Sequence, residues 1–177
     1  MKISKFKTQL FALAISMVSM VAGAQQQAYV SPAGTKFLLY TPPGYSSSTS
    51  DFPLLLSLHS KGETADDLEE LTSKNPEQMP SRLIYLNRWP ADLPFIVLTP
   101  QLRPEEGIPD PIWGPQWPAE LIDEVVRYVT TNFKVDMQRI YVTGISRGGI
   151  GTWTYASAYP EKVAAIIPMC GRSDLTK

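Results

Sequence analysis

The sequence predicts an α/β fold: a doubly wound, mostly parallel sheet with helices on both faces. Three observations carry this. From residue 52 onward, short apolar runs of strand length alternate with segments of helical periodicity. The apolar runs are continuous and do not alternate with polar residues, as in strands buried on both faces. A glycine-rich turn around Ser146 then joins one apolar run directly to a helical segment.

The elements follow in order. Residues 25–33 read as a loose lead-in. Residues 35–40 alternate weakly and stop at Thr41-Pro42-Pro43-Gly44, so they read as a strand closed by a turn. A polar Ser/Thr loop separates them from the apolar run 52–58, which ends in His59-Ser60-Lys61-Gly62. Residues 65–71 are acidic and predicted helical, and 80–89 form a second short helix. The strand 95–98 is closed by Thr99-Pro100, and 103–117 is a loop rich in Pro, Gly and Trp. Between 119 and 133 the apolar positions 121, 122, 125, 126, 129 and 133 follow helical spacing. A strand at 139–144, a helix at 148–159 stopped by Pro160, and a strand at 163–169 complete the pattern. In such sheets ligands sit beyond the carboxyl ends of the strands. The loops after Leu58 and Gly144 are therefore where chemistry is expected.

Composition narrows the function. With 44% hydrophobic and 19% charged residues, the 177-residue chain reads as one globular domain. A net charge of −1 offers no basic field for nucleic acid. The first residues stand apart. Lys2, Lys5 and Lys7 precede an apolar run at 10–21, and Ala22-Gly23-Ala24 supplies small residues for cleavage. This is the three-part pattern of a secretory signal peptide over 1–24, with the domain over 25–177. The run is shorter than the roughly 20 residues that span a bilayer, so no stable anchor is expected after cleavage. A secreted or periplasmic protein follows. Cys170 is the single cysteine, so no intramolecular disulfide forms. Its place after an apolar run predicts a buried structural thiol. One His and one Cys cannot build a usual zinc site, and no phosphate-binding G-x-x-x-x-G-K-[ST] loop occurs. No metal or cofactor is expected, and Asp66, Asp67, Glu69 and Glu70 read as a solvated helix face.

The motif that carries chemistry is Gly144-Ile145-Ser146-Arg147-Gly148-Gly149, a G-x-S-x-G-G at a strand-to-helix junction. A nucleophile there sits on a sharp turn that lifts its oxygen above the sheet. Gly144, Gly148 and Gly149 let helix and strand approach. The helix N-terminus adds backbone donors and a positive dipole end for an anionic intermediate. The Arg147 N–H is the first oxyanion donor, and the second is a backbone N–H of Ser60 or Lys61. Trp113 and Trp117 either pack their loop or stack on a ligand's rings.

At these loops the chain resembles a known group. Leu58-His59-Ser60-Lys61-Gly62-Glu63 is similar to the L-H-G-x-G-E segment of secreted α/β-hydrolases. Arg139-Ile140-Tyr141-Val142-Thr143-Gly144-Ile145-Ser146-Arg147-Gly148-Gly149, followed by Gly151-Thr152-Trp153, resembles their R-I-Y-(V/L)-T-G-x-S-x-G-G-x-G-x-W core. The group contains carboxylesterases, feruloyl and acetyl esterases, polyhydroxyalkanoate depolymerases and prolyl-oligopeptidase-like hydrolases. The resemblance implies an α/β-hydrolase fold, Ser146 as nucleophile, and His59 as a structural part of the oxyanion loop. It implies a small-molecule or polysaccharide-linked ester as substrate.

Two departures stand out. Ser60 occupies the usual glycine position after the loop histidine. The group places an Asp or Glu and then a His after the nucleophile, whereas the only histidine here, His59, precedes it. Asp174 is open as an acid partner or a solvated loop residue. The expectation is an N-terminal part of a serine esterase, truncated after the strand that follows the nucleophile helix and nearly inactive by itself. A non-catalytic ligand-binding homologue, an acyltransferase and a peptidase remain the alternatives.

Overall fold

Each apolar run from residue 52 onward becomes a strand of one six-stranded sheet. The computed structural model describes residues 26–172, so the signal-like segment 1–24 and Asp174 lie outside the described residues. The strands are β1 (Gln26–Val30), β2 (Lys36–Tyr40), β3 (Phe52–Leu58), β4 (Ile96–Pro100), β5 (Val135–Ile145) and β6 (Ala165–Met169). Their spatial order is β1-β2-β4-β3-β5-β6. The pairs β4–β3, β3–β5 and β5–β6 are parallel, and β1–β2 and β2–β4 are antiparallel.

The helices are α1 (Glu70–Ser73), α2 (Pro80–Tyr85), α3 (Ala119–Asn132) and α4 (Arg147–Ala158). The β3-to-β4 connection moves one way along the sheet, whereas β4-to-β5 and β5-to-β6 move the other way. Right-handed crossovers then put α1 and α2 over one face and α3 and α4 over the other. In keeping with this, α3 packs on α4. The direction of winding reverses at β3, so the carboxyl ends of β3 and β5 form the switch point where a crevice opens.

The main core lies on the face of these central strands that α3 and α4 cover. Leu54, Leu56 and Leu58 of β3, Ile96 and Leu98 of β4, and Ile140 and Val142 of β5 are buried against Ile122, Val125, Val126 and Val129 of α3, with Trp117 and Tyr155. Each such side chain contributes roughly 1.5–3 kcal/mol by leaving water.

Four expectations are corrected. The lead-in at 25–33 holds a strand, β1, paired from Gln26↔Tyr40 to Val30↔Lys36. It sits at the sheet edge, where backbone pairing suffices and no apolar pattern is required. The acidic stretch 65–71 is mostly turn, and helix begins only at Glu70. Asp67 Oδ1 accepts the Glu69 N–H at 2.9 Å, and that local bond competes with helix. The second helix ends at Tyr85 and not at 89. Asn87 takes φ 54°, and the Arg88 N–H closes the end on the Leu83 carbonyl at 2.8 Å. Finally, Cys170 is exposed and adopts φ 54°. The strand stops at Met169, and β6 is the outermost strand among the described residues.

Candidate active site

β5 ends at Ile145 and α4 begins at Arg147, leaving Ser146 alone to make the turn. It does so at φ 54° and ψ −112°, a conformation costing a non-glycine residue of order 1–3 kcal/mol. The surroundings hold it there. The Ser146 N–H donates to the Met169 carbonyl at 2.8 Å, and its carbonyl accepts from Ile150 at 3.0 Å. A Cβ on Gly144 would stand 2.3 Å from the Gly148 carbonyl oxygen, and one on Gly149 would stand 2.5 Å from that of Met169. Only hydrogen fits at these positions. Ser146 itself is exposed, while Arg147, Gly148 and Gly149 behind it are buried. Arg147 is the first residue of α4, so its N–H has no partner within the helix and points out of the positive end of the dipole.

Across the crevice, Leu58 is in register with Gly144, and the loop 59–64 leaves β3 beside the elbow. His59 is fully buried. Its Nδ1 donates to the Ser60 carbonyl at 2.7 Å, and its Nε2 accepts the Leu102 N–H at 2.9 Å. Both nitrogens are thus engaged, which fixes the Nδ1–H tautomer. Burial, helped by the Arg147 charge, pushes the imidazole down to about 4 from its ordinary 6.5, against the bond to Ser60. His59 is neutral, so the 4.0 Å approach of Glu63 Oε2 to Nδ1 is not an ion pair. Trp117 lies edge-on to the ring at 4.9 Å and donates Nε1–H to the His59 carbonyl at 3.2 Å.

Ser60 has its own task in this loop. Its hydroxyl donates to Glu63 Oε2 at 2.7 Å, and Glu63 is buried. Its φ is not positive, so a side chain stands there without the strain that would call for glycine. Lys61 is exposed, and its Nζ reaches the vicinity of Gly114 in the loop between β4 and α3. The two tryptophans of that loop divide: Trp117 is 1% exposed and packs, whereas Trp113 is 52% exposed. Arg172 covers one face of Trp113 and pairs with Asp110 at 3.5 Å.

The structure brings His59, Ser60, Lys61, Gly144, Ser146, Arg147, Gly148 and Gly149 to one end of the sheet. Asp66, Asp67, Glu69 and Glu70 stay apart; Asp66 pairs with Lys36 and Glu70 with Lys74. Among the described residues no cluster of His, Cys, Asp and Glu is arranged to hold a metal. Sequence reasoning missed Thr64, the Gln101 amide that donates to the Glu63 carbonyl, and the side chain of Arg147. A charged residue at the buried first turn of a helix is the signal that could have pointed to the last of these.

A strand, a strained serine and a helix at the carboxyl end of a mostly parallel sheet define the α/β-hydrolase class. Within it, the Esterase family, described as "Putative esterase", matches residues 100–176. Poly(3-hydroxyalkanoate) depolymerase C of Paucimonas lemoignei is 26% identical over 181 residues, which is 93% of this chain and 39% of that protein. A thermostable esterase of known structure superposes with a TM-score of 0.67 at 26% identity, over 89% of this chain and 43% of its own. S-formylglutathione hydrolase of Staphylococcus aureus superposes with a TM-score of 0.58 at 18% identity, over 85% of this chain and 57% of its own, and shares the fold. The chain spans less than half the length of the depolymerase and of the thermostable esterase. The chain has the α/β-hydrolase fold and is similar to the esterases of that class.

Proposed function

We propose that this chain carries the nucleophile and the oxyanion-binding half of a serine esterase, with Ser146 as the acylated residue. The observation that carries the reading is Ser146 itself: exposed, held at φ 54°, and set at the N-terminus of α4. Such strain at a helix start is kept where chemistry uses it.

Ser146 Oγ attacks the ester carbonyl carbon as its proton passes to a base. The carbonyl oxygen becomes an oxyanion, which the Arg147 N–H and an N–H of Ser60 or Lys61 receive. Collapse breaks the bond to the alcohol oxygen, and the base returns the proton to the leaving alcohol. Water then attacks the acyl-enzyme and restores the Ser146 hydroxyl. The base is a group other than His59, whose two nitrogens are occupied inside the core. Asp174 stays open as the acid partner. The depolymerase likeness and the signal-like segment 1–24 favour an exported enzyme acting on a small or polymer-linked ester.

Labelling with a fluorophosphonate probe tests the nucleophile. The protein made from the uninterrupted reading frame is expected to label at Ser146, and Ser146→Ala to abolish it. Labelling that survives Ser146→Ala sinks the assignment. Paired ester, amide and alcohol-acceptor assays separate hydrolase, peptidase and acyltransferase, which share the acyl-enzyme. Ligand binding without labelling in the wild type would favour a non-catalytic protein.

A further inference from the structure

The Arg147 side chain is nearly fully buried, at 4% exposure, one residue after the nucleophile. Its guanidinium bonds to both loops beside the elbow, which Trp117, Leu102 and Gln101 also tie to each other deeper in the fold. Nη1 donates to Thr64 Oγ1 in the loop after β3, and Nη2 donates to the Trp113 carbonyl at 3.3 Å in the loop before α3. Nε is buried and has no hydrogen-bond partner among the described residues. Burial presses the guanidinium towards its neutral form, and the nearby Glu63 carboxylate opposes this. Glu63 is itself buried and is held by the Ser60 hydroxyl at 2.7 Å. Ser60 thus holds a buried carboxylate within electrostatic reach of the Arg147 guanidinium, with no direct bond between the two charges among the described residues. A buried cation is costly to keep, so one that ties three segments at one point is a positioning element.

We propose that the Arg147 side chain is a positioning residue for acyl transfer: it fastens the loop bearing the Ser60 and Lys61 amides, and the loop bearing Trp113, to the nucleophile elbow. The inference rests on Ser146 being the acylated residue. Only a planar fork can reach both loops at once, so lysine replaces at most one of the two bonds. The consequence falls on the oxyanion donors, which act in the transition state and not in the ground state. The loss should therefore appear in kcat and leave KM nearly unchanged.

The test uses the full-length enzyme and a chromogenic ester, with rates expressed per titratable Ser146. Arg147→Ala is expected to lower kcat by about 100-fold with KM within about threefold. Arg147→Lys should keep part of the activity. Methylguanidinium added at sub-denaturing concentration should raise kcat of Arg147→Ala several-fold and leave the wild type unaffected. Thr64→Val removes one acceptor while keeping the buried charge, so it carries the test if Arg147→Ala does not fold; it should lower kcat several-fold. A kcat within twofold of wild type in the Ala or Val variant would overturn the proposal. So would a loss of activity that merely tracks loss of titratable sites, with no response to methylguanidinium. Failure of the underlying reading looks different: the wild type would show no Ser146-dependent turnover before any arginine variant is made.

Discussion

Gly148 lies directly against the carbonyl of Leu58, where a Cβ would stand 2.0 Å from the oxygen. The first turn of α4 thus seats on the carboxyl end of β3, and this contact sets the distance between Ser146 and the loop 59–64. The obstacle is backbone, which cannot swing aside. Gly148→Ala should therefore cost more than about 3 kcal/mol and abolish probe labelling at Ser146, because a shifted elbow loses its donors. Gly62, in the same neighbourhood, faces open space. Gly62→Ala should stay within about 1 kcal/mol of wild type in urea unfolding. Equal effects at the two sites would show that the Leu58 contact does not set the elbow.

The strain at Ser146 gives a second expectation. Glycine relaxes φ 54° and ψ −112°, whereas alanine keeps the Cβ. Ser146→Gly should gain about 1 kcal/mol over Ser146→Ala in unfolding free energy, after the extra entropy glycine brings to the unfolded chain is counted. Both variants are expected to lose labelling. If alanine proves the more stable, the turn is not strained.

Much of this was legible in the sequence where burial leaves a pattern. The apolar runs at β3 and β4, the spacing in α3 and the glycines about Ser146 each answer to packing, and packing writes itself into residue type. What was not legible depends on partners rather than on periodicity. β1, Gln-Gln-Ala-Tyr-Val, is an edge strand held by backbone bonds to β2 that any residue but proline can make. The helix read at 65–71 failed because Asp67 closes a local turn. Cys170 was misread because an apolar run says nothing about which residue ends it. In the site, the placement of Ser146 at a strand-to-helix turn, beside the loop after β3, could be named in advance. The buried polar group of Ser60, Glu63 and Arg147 could not, since its members are polar residues that only the fold brings together.

A polar anchor also ties α3 to α4. Asp123 of α3 is buried; its Oδ1 accepts from Lys162 Nζ at 2.5 Å and from the Tyr155 hydroxyl at 3.3 Å, and its Oδ2 lies 3.2 Å from Arg127. Burial first, and then Asp123, raises the Tyr155 hydroxyl above its ordinary range, so it stays a donor. Asp123→Ala leaves that hydroxyl buried without an acceptor. It should lower the urea unfolding free energy by about 2–3 kcal/mol. Asp123→Ala combined with Tyr155→Phe should cost less than the sum of the two single changes. Strict additivity would mean that the pair is not coupled.

His59 makes stability depend on pH in a defined window. Folded, it takes a proton only near pH 4; unfolded, near its ordinary 6.5. Between these values the unfolded chain binds more protons, so stability falls as pH drops from 6.5 to 4 and is fully present above 6.5. The difference corresponds to on the order of 3 kcal/mol. The physical cause is specific. A proton on Nε2 would turn it into a donor facing the Leu102 N–H, in a pocket closed by Trp117. Carboxylates titrate in the lower part of the same range, so the comparison must be with a variant that lacks the imidazole. His59→Gln should be less stable than wild type at pH 7.5, and its deficit should shrink as the pH approaches 4.5, read from urea midpoints at matched ionic strength. Parallel curves for the two proteins would mean that the imidazole takes up its proton as readily in the fold as in water, and the sealed, neutral His59 would have to be abandoned.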